Sequence, residues 1–184
     1  MRSVLFVLFL GIAGCNPTIE LDQIELLDLQ NEVVHIKPSE NAVTVIYFLS
    51  PECPLCINYS LALKDINNQF SNDSVVFYGI HSGKWFTQTE VKEYQLKYSL
   101  KFEMYLDNSN QLAQILGATV TPEVFVLNSE SEILYSGKID NWVNDLGKKK
   151  LEVSEHYLEN ALVTWRDGKA IEPNHTKPVG CLIE

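Results

Sequence analysis

The sequence predicts an α/β fold with a parallel core sheet and an antiparallel edge, and three observations predict it. Two continuous apolar runs, residues 43–49 (VTVIYFL) and 75–80 (VVFYGI), are rich in β-branched and aromatic residues, as strands buried on both faces are. Each run is followed by helical spacing, and strands alternating with helices call for parallel pairing through crossovers. Two further short runs, 124–127 and 133–135, flank Asn128-Ser129-Glu130-Ser131, a turn-forming tetrapeptide that marks a hairpin and so an antiparallel edge.

The elements follow in order. Residues 24–29 and 33–36 are short apolar pieces around Gln30-Asn31-Glu32 and predict a hairpin preceding the main fold. After the first buried strand, a helix starts near Pro54, with Ile57, Tyr59, Ala62, Leu63, Ile66 and Phe70 mostly on helical spacing. After the second strand, Thr87-Gln88-Thr89-Glu90 has the form of a capping box, opening a helix with Val91, Tyr94 and Tyr98 on one face. Residues 102–106 form a third short strand. Asp107 or Asn108 caps a short helix carrying Leu112, Ile115 and Leu116, which Gly117 ends. After the hairpin comes a last helix over 154–165, with Trp142 and Trp165 packing around it. Asp167-Gly168 stops that helix, and an irregular tail runs to Glu184. In such sheets, sites form beyond the carboxyl ends of the parallel strands, so Cys53 and His81 emerge on the same side. Trp85-Phe86, just after His81, reads as core or as an apolar lip.

With 184 residues, 46% of them hydrophobic, the chain suffices for one domain with a sizeable core. Its formal net charge of −10 argues against a nucleic-acid partner, which would want a basic face. Lys148-Lys149-Lys150, the one basic run, reads as a solvated turn. Met1-Arg2, the apolar stretch 4–10 (VLFVLFL) and Ile12-Ala13-Gly14-Cys15 follow the pattern of a secretory signal, too short to span a membrane. A Cys directly after Ala-Gly resembles a bacterial lipoprotein signal. That resemblance implies cleavage before Cys15, a lipid on its sulfur, and a cell-envelope protein anchored to the membrane and facing the periplasm or exterior. The expected division is a signal peptide over 1–14, a lipidated tether over 15–22 and one domain over 23–184.

Cys53-Pro54-Leu55-Cys56 stands where the first buried strand gives way to its helix. A Cys-x-x-Cys at such a junction is the layout of a thiol–disulfide redox site, and the export signal places the pair in a disulfide-permissive compartment. Cys53 falls at the N-cap and Pro54 at N1, where a missing N–H costs nothing. The amides of the first turn and the positive end of the helix dipole favour thiolate at Cys53. Cys56 lies one turn in, within disulfide reach, so Cys53 attacks and Cys56 resolves. Cys181 is left over, as a third redox thiol, a metal ligand or a partner-linking thiol.

Thr121-Pro122 precedes the strand 124–127. With the cysteine pair it resembles the cis-proline loop of the thioredoxin superfamily. The whole chain from about 24 to 184 is similar to the redoxin (alkyl hydroperoxide reductase/thiol-specific antioxidant-like) branch of that fold. The likeness is carried by Phe48-Leu49-Ser50-Pro51-Glu52-Cys53-Pro54-Leu55-Cys56, by Thr121-Pro122-Glu123-Val124-Phe125-Val126-Leu127 and by Tyr135-Ser136-Gly137-Lys138-Ile139-Asp140. The ending Thr176-Lys177-Pro178-Val179-Gly180-Cys181-Leu182-Ile183 resembles the C-terminal motif of a bacterial redoxin subgroup. The resemblance implies a thioredoxin-like fold: a central mixed sheet flanked by helices, here with the N-terminal hairpin and a C-terminal helix plus tail. It also implies a cis bond at Pro122, which leaves the Thr121 backbone free to pair with an extended substrate segment.

Departures from the family pattern narrow the activity. Peroxiredoxins carry a Pro where Val43 stands, although Ser50 fits their hydroxyl position, so peroxide reduction is disfavoured. Thioredoxin proper has Trp in place of Glu52 and a buried acid in the strand before its cysteines, which residues 43–49 lack. Glu123 or Glu52 is the accessory acid in its stead, and His81 and Cys181 are further accessory candidates. Ile57 after Cys56 excludes a CxxCH haem site.

The leading reading is a thiol–disulfide oxidoreductase with no cofactor, acting on protein or small-molecule thiols and disulfides. A second is a copper-binding chaperone similar to the Sco type, with Cys53, Cys56, His175 and Cys181 as ligands, although that type spaces its cysteines by three residues. A third is an interaction module with an inert disulfide.

Overall fold

The computed structural model describes residues 19–184 apart from 39, 41, 72, 73 and 146. The expected signal peptide and Cys15 lie outside the described residues. A single 3-10 turn over Leu21–Gln23 leads in. Leu21, within the stretch expected as tether, is buried in the core.

Two short strands, β1 (Leu26–Leu27) and β2 (Val33–Val34), pair antiparallel as the expected hairpin. Then come β3 (Val43–Phe48), α1 (Pro54–Phe70), β4 (Val75–Ser82), α2 (Gln88–Tyr98), β5 (Glu103–Asp107) and α3 (Gln111–Leu116). The second half holds β6 (Val120–Thr121), β7 (Glu123–Leu127), β8 (Ile133–Gly137), β9 (Val143–Asp145), β10 (Lys148–Lys149), α4 (Tyr157–Arg166) and β11 (Cys181–Leu182). Among the described residues the main sheet has seven strands in the order β2-β1-β5-β4-β3-β7-β8. β3 runs parallel to β4, and β4 to β5, while β7 and β8 add antiparallel at the other side. This is the expected mixed sheet of a thioredoxin-like fold.

The uninterrupted apolar run of β3 follows from its place at the sheet's centre, because alternate residues of a strand face opposite sides. Val43, Val45 and Tyr47 enter one core with Tyr59, Leu63 and Ile66 of α1, Val91 and Tyr94 of α2 and Leu158 of α4. Ile46 and Phe48 enter the other, with Leu112, Ala113 and Leu116 of α3 and with Leu21 and Ile24.

Local chemistry sets the helix ends. The Thr87 capping box is complete: its hydroxyl accepts from Glu90 N–H while Glu90 accepts from Thr87 N–H. Asp107 caps α3 as expected, but from outside the N-cap position, which is Asn110. Its carboxylate accepts from Gln111 N–H at 2.8 Å and Ala113 N–H at 3.0 Å. Gly117 ends α3 at φ +75°.

Three expectations shift. The last helix begins at Tyr157 rather than 154, because the Ser154 and Glu155 amides donate to Asn141 Oδ1 and are held outside it. Lys148 and Lys149, expected in a solvated turn, form an exposed strand of a small hairpin, and Lys149 Nζ lies 4.7 Å from the Trp142 ring centroid. The tail, expected to be irregular, contains β11, which pairs antiparallel with β6 in the register Cys181↔Thr121 and Leu182↔Val120.

Candidate active site

Where β3 stops, the chain turns through Ser50 and Pro51 and enters α1 with Cys53 at the N-cap and Pro54 in the first turn. This placement follows the sequence expectation. No side chain caps that turn, so its free amides face the Cys53 end. Cys53 and Cys56 are both buried, and Cys56 lies on the inward face of α1 with Leu55, Tyr59 and Leu63.

The three cysteines near the site are not joined as the sequence suggests. Cys53 is bonded to Cys181, 128 residues away, with Cα atoms 6.1 Å apart. Cys56 remains a thiol. The expected pairing of Cys53 with Cys56 is therefore not the one in the structure. The reason is the tail: β11 lays Cys181 directly across from Thr121, and Thr121 O lies 3.1 Å from Cys53 Sγ. A Cys53 thiol would donate its proton to that carbonyl.

Cys56 sits against the core. Ser50 N–H donates to its sulfur at 3.4 Å, and Tyr94 O–H donates to its carbonyl at 3.2 Å. Burial pushes its thiol up to about 12, and the Ser50 amide and the Thr121 hydroxyl offset that only in part. Among the described residues the buried Thr121 hydroxyl has no hydrogen-bond partner of good geometry, and Cys56 is the group whose thiolate it favours.

Thr121–Pro122 is a cis peptide, as the resemblance implies. The loop before it is fixed by Glu123, whose buried carboxylate accepts from Thr119 N–H at 2.9 Å and Val120 N–H at 3.3 Å. Burial raises the Glu123 carboxyl, the two amides and His175 pulling the other way. Glu123 thus shapes the loop that faces the cysteines. The Thr121 backbone edge, expected to be free for substrate, is occupied by the chain's own Cys181.

The other expected residues scatter. His81 lies within β4, near the strand end that faces Cys53, but is fully buried, with Nε2 3.4 Å from Met104 Sδ and its ring edge-on to Phe86 and Tyr94. Burial lowers it to about 3, so it is a neutral core histidine rather than an accessory base. Glu52 is exposed at the rim of the cavity beside Cys53. His175, the expected copper ligand, hydrogen-bonds Ser136 Oγ at 2.9 Å. Among the described residues no group of three or more His, Cys, Asp or Glu side chains is arranged to hold a metal ion.

A cavity of about 400 Å³ opens beside the disulfide, lined by residues that include Ser50, Glu52, Cys53, Trp85, Phe86 and Cys181. Trp85 is 69% exposed at its rim, the lip reading of the sequence, while Phe86 packs inward against the core. Sequence reasoning missed Gly180, whose absent Cβ lets the tail lie against Thr121; a Cβ there would overlap the Thr121 backbone. It also missed Thr176, which holds the tail down. The available signal was the 176–183 ending, whose likeness to a redoxin C-terminal motif does not say where the tail docks.

The AhpC/TSA family pattern matches residues 17–136. The chain belongs to the AhpC/TSA family. No curated protein sequence matches it. Among solved structures it is similar to an uncharacterized conserved protein from Geobacillus kaustophilus, at 20% identity and a TM-score of 0.78, over 95% of this chain and 97% of that one. It is similar to a hypothetical protein from Sinorhizobium meliloti, at 23% identity and a TM-score of 0.74, over 86% and 88%. A secreted disulfide oxidoreductase of Mycobacterium tuberculosis matches at 18% identity and a TM-score of 0.52, over 62% of this chain and 82% of that one. At these identities the likeness is one of fold.

Proposed function

We propose that this AhpC/TSA-family chain is a thiol–disulfide oxidoreductase of the cell envelope, anchored by a lipid on Cys15 and working outside the cytoplasm. The observation that carries the reading is Cys53 at the N-cap of a 17-residue helix, bonded to a second cysteine against a cis-proline loop. The helix terminus stabilises negative charge on sulfur. Cys53 is therefore the thiol that attacks a substrate disulfide. A second thiol of the same site then attacks the mixed disulfide, restoring an internal disulfide and releasing the reduced substrate. Cys56 stands one turn away in α1 and Cys181 on the tail strand. The signal-like N-terminus and the disulfide both suit an oxidising compartment. The tuberculosis neighbour, described as a secreted disulfide oxidoreductase, supports the same direction.

The test is a redox titration of the full chain recovered from bacterial membranes in detergent. The expected midpoint lies between roughly −270 and −120 mV, the span of working dithiol catalysts. A midpoint below about −300 mV, the range of structural disulfides, would sink the enzymatic reading. Recovery in the soluble fraction without lipid on Cys15 would sink the anchor.

A further inference from the structure

Cys181 is held in place by more than its disulfide. Upstream of it, Thr176 Oγ1 accepts from Lys138 N–H at 2.8 Å and lies 2.7 Å from Tyr135 Oη. Ser136 N–H donates to Asn174 O and Thr176 N–H to Ser136 O, each at 3.0 Å. Downstream, Ile183 N–H donates to Thr119 O at 3.0 Å, and Asn110 Nδ2 donates to Glu184 O at 2.9 Å. Between these two anchors β11 takes the hydrogen-bonding edge of β6, with Gly180 pressed on Thr121. The tail occupies the edge of the cis-proline loop as an extended peptide would, with its cysteine already joined to Cys53.

The three cysteines differ in exposure as residues. Cys53 is 2% exposed and Cys56 fully buried, whereas Cys181 is partly exposed. Exposed Trp85 and Leu182 line the same cavity. A nucleophile approaching from solvent meets Cys181 first. Attack there expels Cys53, the sulfur at the helix N-terminus, and the thiol that better bears negative charge leaves faster.

We infer that the C-terminal strand is a built-in substrate segment and that Cys181, rather than Cys56, is the thiol through which this site exchanges with external thiols. The inference rests on the oxidoreductase reading. An external thiolate attacks Cys181 Sγ and forms a mixed disulfide with it. The Cys53–Cys181 bond breaks, and its electron pair stays on Cys53 as thiolate. A second external thiolate attacks the external sulfur of that mixed disulfide, forming the external disulfide and leaving Cys181 as thiolate, which takes a proton. Two external thiols are oxidised and one internal disulfide is reduced. Cys56 stays reduced throughout, held from attack by burial. Partners of this kind are thiols that fit beside Trp85 and Leu182, and they need not pair with the Thr121 backbone, which the tail keeps.

The experiment mixes the oxidised full chain, in detergent, with glutathione, quenches within seconds with iodoacetamide and maps each cysteine by peptide mass spectrometry. The expected pattern is glutathione on Cys181, alkylation on Cys53 and an unmodified Cys56, exceeding the reverse label by about ten-fold or more. Glutathione on Cys53 with Cys181 alkylated overturns the inference. A Cys53–Cys56 disulfide with Cys181 alkylated overturns it as well, because Cys56 is then the working partner. Both of those outcomes leave the oxidoreductase reading standing. No exchange at any sulfur overturns the inference and that reading together.

Discussion

The two sides of Cys53 are built differently. On the core side, Cys56 and His81 sit among packed aromatics with few polar partners, and burial drives both toward their neutral forms. On the tail side, Cys181 lies on a two-residue strand held by backbone hydrogen bonds and one threonine, partly open to solvent. The first arrangement suppresses charge, and the second presents a sulfur. A thiol's proximity to Cys53 along the chain is therefore a poor guide to its reactivity; the medium around it decides.

The largest expected effect tests the core side. The folded-state pKa of His81, about 3, lies below its ordinary 6.5, so the unfolded chain takes up the proton first. Stability contributed above about pH 6.5 is lost as pH falls toward 3, by up to about 5 kcal/mol. In His81→Leu, denaturant unfolding at pH 7 and pH 4 should show this acid loss removed, whatever the variant's absolute stability. An unchanged acid limb would break the picture of a neutral core.

Next comes Cys56. Its thiol is raised from 9.0 to about 12, which lowers its thiolate fraction near neutrality by about 1,000-fold. After mild reduction of the native chain, iodoacetamide should label Cys181 rapidly and Cys56 about 1,000-fold more slowly than an ordinary thiol. Comparable rates would erase the contrast between the two sides.

The smallest effect sharpens the tail side. Thr176→Val removes the hydroxyl that accepts from Lys138 N–H and meets Tyr135 Oη, leaving those groups short of a partner at a cost of about 1–3 kcal/mol. Unfolding curves should shift by that amount in the oxidised chain. No shift would mean that the Thr176 hydroxyl does not help to hold the tail, which its backbone hydrogen bonds and disulfide then secure.

How much of this was legible in the sequence follows the range of the interactions. The buried run of β3, the capping box at Thr87 and the αL glycine at Gly117 are local signals, and each appears where expected. So does Cys53 at the head of α1, because strand end, N-cap and Pro are neighbours in the chain. The pairing of Cys53 with Cys181 spans 128 residues, and no local pattern encodes which of two thiols a third will meet. Helix α4 starts late for a similar reason: Asn141 reaches across to hold Ser154 and Glu155. His81 was placed at the correct end of the sheet, but its burial depends on Phe86, Tyr94 and Met104, which arrive from three other segments.

The tail does a second job at the rim of the sheet. β8 is an edge strand, and Ser136 bridges to His175 along its open side, with its N–H and C=O both taken by tail residues. An uncovered edge is a template for pairing with another chain. The same tail that brings a sulfur to Cys53 thus also occupies hydrogen-bonding groups on the edge strand, joining the redox centre and the rim of the sheet in one segment.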